Sequence, residues 1–95
     1  MGEINTVIWG RRVQKQLDDI PQVIAKKFFA WVTAIRTAGI RNIRTRPGFH
    51  DEPLHGHRKG QRSVRLNQAW RTIYVERQDG LLELIEVIEV THHEY

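Results

Sequence analysis

Residues 61–90 read QRSVRLNQAWRTIYVERQDGLLELIEVIEV, and this stretch decides the fold. Its first part alternates: Val64 and Leu66 share a face with Arg62, while Ser63 and Arg65 share the other. Trp70 to Glu76 alternates again, with Arg71, Ile73 and Val75 against Trp70, Thr72 and Tyr74. A period of two marks a strand with two unlike faces. Asp79-Gly80 then favours a tight hairpin turn. Leu81 to Val90 is apolar on both faces, as suits a strand in the interior of a sheet. Glu83, Glu86 and Glu89 recur every three residues, a spacing that also fits a helix. The Val and Ile content and the preceding turn favour strand.

Upstream of this stretch the pattern changes. Thr6-Val7-Ile8-Trp9 is a short β-branched and aromatic run that reads as a first strand. After Gly10, the positions Val13, Leu17 and Ile20 form a narrow helical stripe. Pro21 suits the first turn of a second helix. There Ile24, Phe28, Trp31 and Ile35 fall at helical spacing, and Phe29 and Val32 widen the stripe towards Gly39, a natural stop. Residues 40–60, broken by Pro47-Gly48, Pro53, Gly56 and Gly60, read as loop. The expected order is β-α-α-β-β-β: an α+β fold with two N-terminal helices packed on a small, largely antiparallel sheet.

Composition narrows the possibilities. The 95 residues, 40% hydrophobic and 27% charged, suit a single domain over 1–95 with one modest core and no large cofactor cavity. No apolar run reaches the roughly 20 residues of a membrane span. The start, Met1-Gly2-Glu3, lacks the basic and apolar blocks of a signal peptide. Cysteine is absent, which removes disulfides and thiolate metal sites and fits the cytoplasm. The net charge of +4 is unevenly spread. Residues 36–71 hold nine Lys and Arg against two acids, whereas 72–95 hold one Arg against six acids. So basic a central segment, with His50, His55 and His57 added, points to a polyanionic partner.

The chemistry-bearing residues lie in and around that segment. Glu52 precedes the basic loop, Arg65 and Arg71 lie in neighbouring expected strands, and His93 and Tyr95 stand two apart near the C-terminus. A carboxylate, guanidinium groups and an imidazole on one face would suit metal-free RNA cleavage. That reaction needs a base for the 2′-hydroxyl, cations for the phosphorane, and an acid for the 5′-oxygen. Arginine suits the cationic role because it stays charged and binds two oxygens at once. His55-Gly56-His57 lacks a third spaced ligand and reads as surface histidines rather than a metal site. His57-Arg58-Lys59-Gly60 is too short for a phosphate-binding P-loop. On residues alone, a basic α+β binding domain and a ribonuclease both stay open.

Asp51-Glu52-Pro53-Leu54, Gly60 to Leu66, and Trp70-Arg71-Thr72-Ile73-Tyr74 together resemble the core of the RelE/ParE superfamily of bacterial toxins. The ending Val90-Thr91-His92-His93-Glu94-Tyr95 is similar to the superfamily's usual ending, although the YoeB-like branch places its His and Tyr side by side. The resemblance implies the small basic toxin of a type II toxin–antitoxin pair, partnered by a cognate antitoxin. It implies a ribosome-dependent endoribonuclease that cuts mRNA without a cofactor. Carried over by motif, Glu52 is the general base, Arg71 the phosphate-stabilising group, His93 the general acid and Tyr95 an aromatic that orients the RNA. Arg65 would help hold phosphate, and Arg58, Lys59 and Arg62 would contact the RNA backbone. Here Glu94 separates His93 from Tyr95, so His92 competes for the acid role; alternation favours His93, on the face of Tyr95. ParE-like members share the fold but poison DNA gyrase, which is the alternative activity.

Overall fold

The structure, a computed structural model, describes residues 3–92. The catalytic candidates His93 and Tyr95 therefore lie outside the described residues. The elements run β1 (Val7–Trp9), α1 (Arg11–Asp19), α2 (Gln22–Ala38), α3 (Ile40–Arg44), β2 (Glu52–Pro53), β3 (Arg62–Arg65), β4 (Trp70–Asp79) and β5 (Leu82–His92). They form a five-stranded sheet of order β1-β5-β4-β3-β2. β1 runs parallel to β5, and every other pair is antiparallel. The expected α+β architecture stands, with two additions in the segment read as loop.

The first addition is α3, whose Ile40 and Ile43 are fully buried in the core. Five residues are too few to show a helical period, and the flanking Gly39 hides them further. The second is β2, which pairs Glu52 with Ser63 and Pro53 with Arg62 and so widens the sheet to five strands. Two residues containing a proline carry no strand signal.

One side of the sheet is covered. Val13 and Leu17 of α1 join Ile24, Phe28, Trp31, Val32 and Ile35 of α2 in a single buried cluster. The sheet contributes Val64, Leu66, Tyr74, Ile85, Val87 and Val90 to it. Phe29, expected to widen the buried stripe, is instead 43% exposed and meets Phe28 and Trp9 edge-on at its rim. Gly39 stops α2 as expected: at φ 84° its N–H donates to the Ile35 carbonyl at 2.8 Å. The hairpin turn is shifted by one residue. Asp79 pairs with Leu82, so the two central residues are Gly80 and Leu81. Only Gly80 has positive φ, the requirement of a type II′ turn.

Among the described residues no α-helix packs on the remaining side of the sheet, and a bulge sets which residues it presents. Ile73 pairs with Glu89 but Tyr74 with Val87, leaving Ile88 as an extra residue in β5. One extra residue inverts the alternation. Glu86 pairs with Val75 and Glu89 with Ile73, and both partners lie on one face of β4. Two glutamates at an odd spacing thereby reach the same face, which explains their helix-like period.

Candidate active site on the open sheet face

Cross-strand neighbours share a face, so the register lists the site. Glu52, Ser63, Ile73 and Glu89 stand in one row across four strands. Arg65, Arg71 and Thr91 stand in another across three. Between them lies a cleft of about 360 Å³ lined by Glu52, Arg58, Ser63, Arg71 and Thr91, with Leu54 and Ile73 as its apolar part. Glu52 is exposed and available to a substrate.

Four guanidinium groups belong to this face, and they divide into two kinds. Arg58 donates to Glu89 Oε1 at 2.8 Å and through Nε to Gln61 Oε1 at 2.8 Å. Arg77 pairs with Glu86. Arg65 and Arg71, directly opposite each other, have no carboxylate partner among the described residues. Arg65 Nε and Arg71 Nη1 are buried without a hydrogen-bond acceptor among the described residues. The other two such atoms, Trp31 Nε1 and Thr72 Oγ1, belong to the covered side. Like charges paired across a sheet destabilise it, and buried donors cost free energy when unmet. An anion between the two arginines would relieve both costs.

The other sequence candidates lie elsewhere. Lys59 is exposed at the end of the 3₁₀ turn Gly56–Arg58 and does not line the cleft. Arg62 pairs with Tyr74 across the ladder and so points to the covered side, where its Nε meets Asp51 Oδ1 at 2.6 Å. His92 pairs with Trp70 and packs edge-on against its indole at 5.2 Å, on the face away from Arg71. Among the described residues, no group of three or more His, Cys, Asp or Glu side chains could hold a metal ion.

Sequence reasoning missed the network beneath Glu52. The Asp51 side chain is 1% exposed and accepts hydrogen bonds from Arg62 and from the Tyr74 hydroxyl, the latter at 2.5 Å. Arg44 donates to the same hydroxyl at 3.3 Å and to Glu76. Burial, then the hydrogen bond to Asp51, push the Tyr74 phenol well above its ordinary pKa. Burial opposes the Arg44 charge, but the hydrogen bonds to Glu76 and Tyr74 outweigh it and raise its pKa. A signal was present: Asp51 and Glu52 are adjacent, and neighbours in extended chain face opposite ways.

No family model matches the sequence, and no curated protein is significantly similar to it. Solved structures are similar to it across nearly the whole chain. A YoeB/ParE toxin from Agrobacterium tumefaciens is 21% identical with TM-score 0.66, covering 94% of this chain and 99% of that one. YafQ from E. coli is 15% identical with TM-score 0.65, covering 90% of each chain. A heterotetrameric YoeB–YefM toxin–antitoxin complex from Staphylococcus aureus contains a chain 16% identical with TM-score 0.67, covering 98% and 100%. The chain has the fold of these toxins.

Proposed function

We propose that this chain is the toxin of a type II toxin–antitoxin pair and cleaves mRNA on the ribosome by 2′-hydroxyl attack. The observation that carries this reading is an exposed carboxylate, Glu52, on the same sheet face as Arg65 and Arg71, two arginines without acidic partners among the described residues. Glu52 takes the 2′ proton, and the freed oxygen attacks the adjacent phosphorus. Arg71, with Arg65 beside it, bears the charge that builds on the phosphorane oxygens. His93 gives its proton to the departing 5′-oxygen, leaving a 2′,3′-cyclic phosphate and a 5′-hydroxyl. The placement of His92 against Trp70, away from Arg71, supports His93 for this step. Tyr95 orients the RNA, and Arg58 and Lys59 contact its backbone. Arg62 takes no part, because it points to the covered side of the sheet and pairs there with Asp51, whereas Arg58 lines the cleft. The reaction needs no cofactor in principle.

The expected partner is a cognate antitoxin; similar folds occur in a YoeB–YefM complex and in the RelBE2 complex of Mycobacterium tuberculosis. The expected site of action is the cytoplasm, where ribosomes are. Among the described residues no helix is long and apolar enough to cross a membrane. Inducing the protein alone, mapping mRNA 5′ ends and following a DNA-damage reporter tests the reading. New ends within reading frames are expected, and Glu52→Ala with His93→Ala should abolish both the ends and growth arrest. DNA damage with intact mRNA would instead assign a gyrase poison, and harmless expression a plain binding module.

A further inference from the structure

The candidate base sits on the weakest strand of the sheet. β2 is two residues long and lies at the edge, and its Pro53 has no N–H to give to a ladder. Ladder bonds alone hold such a strand poorly. The residue before Glu52 is anchored much more firmly. Asp51 sends its carboxylate to the covered side, where Arg62 Nε at 2.6 Å and the Tyr74 hydroxyl at 2.5 Å donate to separate oxygens. Tyr74 is fully buried in the core and is itself held by Arg44, which is tied to Glu76. The three anchors come from α3, β3 and β4.

Resting on the reading of Glu52 as general base, we propose that Asp51, clamped by Arg62 and Tyr74, is the positioning residue that aims Glu52 across the open face. A buried carboxylate with two donors is costly to move, because any shift leaves a charge unpaired. With Asp51 fixed on one side, extended backbone turns the next side chain to the other. Asp51 touches no substrate, so its loss should be felt in the chemical step and not in RNA binding. A displacement of about 1 Å at a proton-transfer group costs up to roughly 100-fold in rate.

The test is single-turnover cleavage of ribosome-bound mRNA, read as maximal rate and half-saturating concentration, for three variants. Glu52→Gln should be inactive. Asp51→Asn, which keeps shape and loses charge, should cut the maximal rate roughly 10–100-fold with half-saturation changed less than about twofold. Tyr74→Phe removes one of the two donors and should show the same split to a smaller degree; it decides the matter if Asp51→Asn does not fold. Asp51→Glu should not rescue, since its longer chain moves the anchored point. An active Glu52→Gln overturns the base assignment. An inactive Glu52→Gln beside folded Asp51→Asn or Tyr74→Phe proteins with undiminished maximal rate overturns the clamp alone. Equal losses in rate and half-saturation would also overturn it, as they would mark general damage to the face.

Discussion

Arg71 is poorly placed for stability, which suits the phosphate-binding role proposed for it. It faces Arg65 across the ladder, with a buried N–H unmet among the described residues. Replacing it by Gln removes a like-charge pair worth about 0.2–1 kcal/mol. Arg71→Gln should therefore raise the urea midpoint slightly while lowering RNA cleavage by about 100-fold or more, the scale of a lost transition-state donor. Tyr74 makes the opposite case. Its phenol is raised above its ordinary value of 10.0 by burial and by Asp51, so the folded chain holds that proton more tightly than the unfolded chain. The associated stability is fully present below about pH 10 and is lost as pH rises through the folded value. Tyr74→Phe should cost about 1–3 kcal/mol at neutral pH by stripping a donor from buried Asp51. It should also flatten the decline above about pH 10, as urea unfolding at a series of pH values would show.

At the scale of elements, short pieces joined to long ones decide the site. α3 enters the core only because the chain turns at Gly39, whose φ of 84° and ψ of 153° lie in a region reserved for glycine. A Cβ there would also collide with the Glu3 side chain, which accepts a hydrogen bond from the Arg41 N–H. Gly39→Ala should cost about 1–3 kcal/mol, measurable by thermal or urea unfolding, and loosen the Ile40 and Ile43 contacts. The long hairpin of β4 and β5 is legible from its alternation and turn residues. The bulge at Ile88 is not legible, because the apolar residues on both sides of β5 hide the change of phase. Yet that bulge brings Glu89 to the site face, where it holds Arg58.

Across the whole molecule the charge segments interleave. The acidic C-terminal segment folds against the basic central one, and Glu89 neutralises Arg58 while Glu76 neutralises Arg44. Asp51 takes Arg62. Among the described residues, the arginines of 36–71 left without an acidic partner on the open face are thereby reduced to Arg65 and Arg71. The sequence by itself determined the types of the long elements, the two faces of β3 and β4, and the basic charge of the centre. Those properties are carried by local periodicity and composition, which neighbours along the chain suffice to express. Alternation already placed Arg62 and Arg65 on opposite faces of β3. Only the tertiary structure decided which arginines have no acidic partner among the described residues, where Asp51 is buried, and how a two-residue strand brings Glu52 to the cleft that Arg71 also lines. Those outcomes depend on residues distant in sequence meeting across strands, where each ion pair formed removes one guanidinium from the face offered to an anion.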